Sequence, residues 1–272
     1  MVSFNALFVA AALASSVIGA PVKGANGGKR GMAYNDPQAV AAFKGTRASA
    51  WAYNWGSNSN NIGNSIDYAP MLWGQKFFND WTKNTPSILS TGCKYVLSFN
   101  EPDIPSQANM SPQDAIQAHK EYMKPFVGKA SIGSPAVSNG GGEMGLSWLG
   151  KFLDGCAGQC NIDFLNVHWY DSAQNVAAFK KHITDSINLA HKYNIDKIWL
   201  TEFRGDGDEN SQVQFLHQVL PWLDNNAGVA RYSYFMADDL VKVANSPLSA
   251  RPTLLKRFEL AFLFIFGKEF CI

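Results

Sequence analysis

The chain has 272 residues, a formal net charge of +1 and a 46% share of hydrophobic residues. That length admits one large domain or two small ones, and the near-zero charge lacks the electrostatic footprint of a nucleic-acid or anionic-membrane binder. Only 17% of residues are charged while eight are Trp and nine Tyr, a balance that suits a surface on which sugar rings stack.

Residues 1–20 carry a short apolar run, Leu7 to Leu13, and close on Gly19-Ala20. This is the pattern of a secretory signal peptide, and the run is too short to span a bilayer. Residues 21–30 are a Gly-rich pro or linker segment ending in Lys29-Arg30. That pair reads either as a second processing site or as two solvated charges.

From Gly31 the chain alternates between strand and helix patterns. Gly31 to Asn35 is a strand, and Asp36-Pro37 opens a helix with Pro at its first position. Ala50 to Trp55 is a second strand with period-2 aromatics, followed by a Gly/Asn/Ser loop with no helical pattern. Tyr68 to Trp73 is the third strand, and Gln75 to Leu89 is helical with a break expected at Pro86. Tyr95 to Asn100 is an apolar fourth strand, halted by Pro102, which has no N–H for the ladder. Ser111-Pro112 caps a helix running towards Phe126, and Ala130 to Ser134 is the fifth strand. Leu146 to Leu153 is helical, Ile162 to His168 the sixth strand, and Asp171 to Tyr193 the longest helix. Lys197 to Thr201, a helix from Ser211 to Leu223, and Val229 to Phe235 complete eight strands.

Eight strands separated mostly by helices, with no internal linker, predict a single compact (β/α)8 TIM-type barrel with one or more helices reduced, over residues 31–250. A doubly wound open sheet is the competing architecture. No glycine-rich phosphate loop follows the first strand, which removes its nucleotide-binding version. No GxSxG serine-hydrolase elbow and no HExxH metal motif occurs, so no metal or cofactor is expected.

Two glutamates end strands with the same polarity: Glu101 in Leu97-Ser98-Phe99-Asn100-Glu101-Pro102-Asp103, and Glu202 in Trp199-Leu200-Thr201-Glu202-Phe203. In α/β barrels the C-terminal rim is where chemistry is housed. Hydrolysis of a glycosidic bond with retention needs two carboxyl groups about 5–5.5 Å apart, one protonated and one ionised. Asn100 has the chemistry to hold a sugar 2-hydroxyl. Asp103 reads as a local anchor of the Glu101 loop, with Asp171 as another nearby carboxylate. Trp55 and Trp73, nearest the C-terminal ends of their strands, are candidate sugar platforms. Trp51, Tyr53, Trp55, Trp73 and Phe235 lie in strands two, three and eight, and some of them must be barrel core.

These strings, with Val167-His168-Trp169-Tyr170, resemble the fungal glycoside hydrolase family 128. The resemblance implies a secreted, endo-acting β-1,3-glucanase of the cell wall with β-glucan as its partner; a monomer is expected. It assigns Glu101 the acid/base role, Glu202 the nucleophile role, His168 and Tyr170 places at the subsite, and an aromatic at Phe235. Other β-glycans such as mannan or xylan, and a non-catalytic glucan-binding protein, are the alternatives. Cys156 and Cys160 flank a short turn and form the expected disulfide, leaving Cys93 and Cys271. Residues 251–272 depart from the family in a hydrophobic tail, Leu260 to Phe266, which reads either as a plug or as a wrongly predicted gene end.

Overall fold

The computed structural model describes residues 28–44 and 47–237, so the expected signal peptide and the hydrophobic tail lie outside the described residues. Eight parallel strands form one sheet in the order β3-β2-β1-β8-β7-β6-β5-β4. They are β1 (Arg30–Ala33), β2 (Trp51–Tyr53), β3 (Asp67–Tyr68), β4 (Tyr95–Val96), β5 (Ser131–Val137), β6 (Phe164–Ser172), β7 (Ile198–Asp206) and β8 (Val229–Tyr234). The chain continuing from β3 meets the chain continuing from β4 at Met71 and Leu97. Leu97 N–H donates to Pro70 O at 2.8 Å and Leu72 N–H to Leu97 O at 3.0 Å, so the sheet closes into a barrel. Around it lie α1 (Pro37–Ala42), α2 (Phe78–Ser90), α3 (Pro112–Tyr122), α4 (Gly145–Cys156), α5 (Val176–Lys192) and α6 (Glu209–Asn225). No helix connects β2 to β3, as the composition of residues 56–65 predicts.

Strand alternation sorts the side chains into two cores. Inward residues, among them Trp51, Tyr53, Met71, Leu97, Phe164 and Trp199, fill the barrel. Outward residues such as Met32, Val96, Ile132, Leu165, Val167 and Leu200 pack beneath the helices. Trp51 lies so close to β1 that a Cβ at Gly31 would fall 2.2 Å from its ring, so glycine is required there. The barrel floor is plugged by Arg231, 5% exposed. Its guanidinium sits 4.4 Å from the Tyr95 ring centroid and 5.1 Å from that of Trp199.

Several expectations change. Pro86 does not break its helix: α2 runs through it to Ser90. Pro86 and Thr82, whose carbonyl loses its partner, are both exposed, so that carbonyl faces solvent and the cost of losing the bond is small. Lys29 and Arg30 are not two solvated charges. Lys29 Nζ donates to the carbonyls of Leu223 and Asn226 at the end of α6, and Arg30, 3% exposed, bonds Asp224 and Tyr232. Cations at a helix C-terminus complement its dipole. The helix expected from Asp171 starts at Val176, because β6 extends to Ser172, and α5 shares its 17-residue length with α6. His182 on α5 is half-buried rather than solvated, with Nε2 lacking a hydrogen-bond partner, whereas His191 is exposed. Cys156 and Cys160 are disulfide-bonded and Cys93 is a half-buried thiol.

His119 on α3 is fully buried, bonded to Ser98 Oγ at 2.9 Å and Cys160 O at 3.1 Å. Burial drives its pKa down to about 4, against a backbone hydrogen bond that works the other way. The unfolded chain therefore binds a proton, from about pH 6.5 downwards, that the native state refuses until about pH 4. This depressed imidazole costs stability as pH falls through that window, by up to about 1.4 kcal/mol per pH unit. In urea titrations, His119→Gln should lose about 2 kcal/mol less than the parent between about pH 7 and pH 4.5. Equal losses would show that His119 does not carry the acid sensitivity.

Candidate active site

The site is built by an irregularity in the β6–β7 pairing. Val167 pairs with Leu200, but the next pair is His168 with Glu202, so β7 carries one extra residue. A bulge of this kind breaks the two-residue alternation. Trp199 faces into the barrel and Leu200 outwards; Thr201 and Glu202 then both face inwards, and Phe203 faces out again. The Thr201 carbonyl, displaced from the ladder, accepts from Tyr53 Oη at 3.0 Å and from Ser233 Oγ. Beyond the bulge the two strands continue as a ribbon to Ser172 and Asp206. Trp169 and Phe203 anchor its outer face against Phe179 of α5 and Phe215 of α6. Glu202 and His168 thus lie within their strands and not at the strand ends expected for them, and Trp169 belongs to the outer core.

Glu101 follows β4, where the backbone leaves the sheet with φ 42°. A left-handed non-glycine residue costs about 1–2 kcal/mol and persists only when its surroundings hold it. Its N–H donates to Ala136 O at 2.7 Å. The loop beyond is tied down by Asp103, whose carboxylate accepts from Ser138 N, Ser138 Oγ and Gly145 N. Asp103 is therefore the loop anchor expected of it, fastened to the start of α4.

Glu101 and Glu202 face each other across His168, with one donor atom from each of the three lying within 4.8 Å of the others. His168 is fully buried beneath the carboxylates. Its Nδ1 lies 3.0 Å from Glu101 Oε1, and its Nε2 lies 3.0 Å from Thr201 Oγ1 and 3.5 Å from Glu202 Oε1. Burial is the largest influence on this ring and favours its neutral form. Glu202, Glu101 and Asp103 together outweigh it and raise the pKa above the ordinary imidazole value. Glu202 accepts from Trp55 Nε1 at 2.7 Å and from Tyr170 Oη, while Tyr53 Oη, whose proton goes to the Thr201 carbonyl, lies 3.4 Å from Glu202 Oε1. Burial, then the Glu202 charge, pushes the Tyr170 phenol well up, so it remains a donor. The Glu101–His168–Glu202 cluster has the compactness of a metal triad. The donors Trp55 Nε1 and Tyr170 Oη, one on each Glu202 oxygen, suit instead a carboxylate held in one orientation.

Above the carboxylates opens a cleft of about 750 Å³ lined by Asn100, Glu101, Tyr170, Glu202, Trp55, Trp73 and Phe235. The expected site residues thus meet in one place, except His168, which lies beneath the cleft and cannot form a sugar subsite. Trp73 carries the Lys76 ammonium 3.9 Å from its ring centroid, so only its other face is free for a sugar. Asn100 Nδ2 reaches Gln107 Oε1 at 3.4 Å. The sequence reading missed Tyr53, Thr201 and Asn139. Tyr53 shares the period-2 inward face of Trp51 and Trp55, a signal already present in the sequence. Asn139 pairs its amide with both backbone groups of Tyr170 across 31 positions, a contact without local signature.

Comparison with known proteins agrees with this geometry. The model of the glycosyl hydrolase catalytic core matches residues 31–256. A curdlan-specific exo-β-1,3-glucanase of family 128 from Blastomyces gilchristii, solved with glucose, is 48% identical. It covers 84% of this chain and 98% of its own, with a TM-score of 0.78. A family 128 endo-β-1,3-glucanase from Amycolatopsis mediterranei, solved with laminaripentaose, is 26% identical over 77% of this chain and 89% of its own, TM-score 0.62. Alkali-sensitive linkage protein 1 of Schizosaccharomyces pombe is 34% identical over 198 residues, 68% of this chain. The chain spans about a third of that relative's length, 34%. With the barrel, the paired carboxylates and these matches together, the chain belongs to glycoside hydrolase family 128 and is a glycoside hydrolase.

Proposed function

We propose that the chain is a retaining β-1,3-glucanase in which Glu202 is the nucleophile and Glu101 the acid/base. One observation carries this: carboxylate oxygens of Glu101 and Glu202 approach within 4.8 Å at the floor of the cleft. Retaining pairs stand about 5–5.5 Å apart, whereas inverting pairs need about 6.5–9.5 Å to seat a water. Glu202, oriented by Trp55 and Tyr170, attacks the anomeric carbon. Glu101 delivers its proton to the leaving oxygen, then takes one from the water that releases the sugar. Trp55, Phe235 and the free face of Trp73 supply apolar platforms, and Asn100 a polar contact. The protein is secreted and acts as a monomer on fungal wall glucan; the leader pattern of residues 1–20 supports the secretion.

The sequence resemblance implies endo cleavage. The 48% identity to an enzyme described as exo-acting, against 26% to the endo enzyme, favours release from chain ends. Incubation with laminarin and curdlan decides between them. A single small product from the first minutes marks exo action, and a ladder of oligosaccharides marks endo action. The product should form first as the β-anomer. No release from β-1,3-glucan, with release from mannan or xylan, overturns the substrate assignment.

Tyr170→Phe should lower kcat about 10- to 100-fold with KM little changed. It removes a hydrogen bond to a charged group worth about 1.5–3 kcal/mol, and 1.36 kcal/mol is tenfold in rate. Steady-state kinetics on a laminari-oligosaccharide measures this; an effect confined to KM would make Tyr170 a substrate contact only.

A further inference from the structure

Beneath the carboxylates lies a buried polar chain that touches no substrate. Asn166, His168 and Thr201 are each 0% exposed. Thr201 Oγ1 donates to Asn166 Oδ1 at 2.7 Å, and His168 Nε2 meets the same hydroxyl at 3.0 Å. A hydroxyl has one proton. With the Asn166 amide turned so that Oδ1 takes this proton and Nδ2 stays buried without a partner, Thr201 accepts from His168 and Nε2 carries hydrogen. Glu202 Oε1, 3.5 Å from Nε2, places a carboxylate on the same side of the ring, where it favours hydrogen on that nitrogen. The other ring nitrogen, Nδ1, is left to face Glu101 Oε1 at 3.0 Å.

We infer that Thr201, backed by Asn166, is a positioning residue that locks His168 as the Nε2–H tautomer, so that His168 Nδ1 and Glu101 share one proton for the acid step. This rests on the acid/base reading of Glu101. The step balances: the one proton held between Nδ1 and Glu101 Oε1 passes through Glu101 to the leaving glycosidic oxygen, and Glu101 takes one proton back from the attacking water, which restores the shared proton. The lock matters when the shared proton is lost. With Nε2–H held, deprotonation leaves the Nδ1 lone pair facing the Glu101 carboxylate, an unfavourable contact that keeps the proton in place. Without the lock the ring adopts the Nδ1–H tautomer and donates to the carboxylate, and the proton leaves more easily. The groups facing His168 are Glu101 and Asp103 after β4, Glu202 on β7 and His182 from α5 behind it. Tyr53 and Tyr170 face it through Glu202. The bulge that turns Thr201 and Glu202 inwards together makes the arrangement available.

Thr201→Val removes the hydroxyl at nearly constant volume, and Thr201→Ser restores it. In Thr201→Val the alkaline limb of the kcat/KM profile should move about one pH unit lower, with kcat on a laminari-oligosaccharide down about tenfold at neutral pH. The dinitrophenyl β-glycoside of laminaribiose needs no leaving-group proton and should lose little. Thr201→Ser should recover both limb and rate. An unmoved limb, or equal losses on both substrates, overturns the proposal. Nitrogen-15 NMR of histidine-labelled parent protein reads the tautomer without activity or variants: Nε2 protonated supports the lock, and Nε2 bare overturns it. Because that reading is independent of turnover, it separates failure of the lock from failure of the glucanase assignment.

Discussion

Replacing Glu202 with Gln should lower kcat/KM on β-1,3-glucan by about a thousandfold or more, the scale on which removing a group acting at the reacting atom is felt. Two effects combine. The amide is a poor nucleophile, so the covalent sugar intermediate does not form. It also changes the hydrogen bonding: with the amide oxygen kept on Trp55 Nε1, the NH2 group faces Tyr170 Oη, which must turn from donor to acceptor. Loss of the Glu202 charge also removes the largest influence raising the His168 pKa, so that imidazole should titrate lower in the variant. The measurements are initial rates on laminarin, oligosaccharide binding by calorimetry, and a thermal melt to show that the barrel is intact. A folded variant keeping more than about a tenth of the parent rate would remove Glu202 from the chemistry.

Glu101→Ala should lower kcat on unactivated glucan by about 10²–10⁴-fold, the range for losing a positioned general acid. Its second signature is qualitative. With a dinitrophenyl leaving group the first step needs no proton, so the intermediate accumulates and its hydrolysis becomes limiting. Added azide, entering the space left by the side chain, should restore turnover and yield the β-glycosyl azide. An α-azide would mean one displacement instead of two and a carboxylate pair acting by inversion. Failure of rescue in a folded variant would point to another acid, with His168 the first candidate because its Nδ1 lies 3.0 Å from the missing oxygen.

Both predictions concern side chains that the sequence marks by type and place. An apolar run into Asn100-Glu101-Pro102 and a second run into Thr201-Glu202 are legible because a buried parallel strand is uniformly apolar. A polar residue closing it therefore stands out. Trp55 and Trp73 are legible from their place near the C-terminal ends of strands, Tyr170 and Phe235 from the family resemblance, and all four reach the cleft above the carboxylates. His168 shows the limit. Its position on an inward face was readable, but whether an inward residue meets substrate or lies under it depends on its height in the barrel. That height is set by strand register, which local sequence does not encode.

The sequence by itself determined the eightfold strand–helix order, the missing helix between β2 and β3, and the two glutamates, because hydrophobic period and Pro, Gly and cap residues act within a few positions along the chain. Tertiary structure alone decided that Thr201 and Glu202 face inwards together, that Lys29 and Arg30 lock onto α6, and that Lys76 covers one face of Trp73. Each of these joins groups on different elements or across a register shift, so its energy exists only once the barrel has closed.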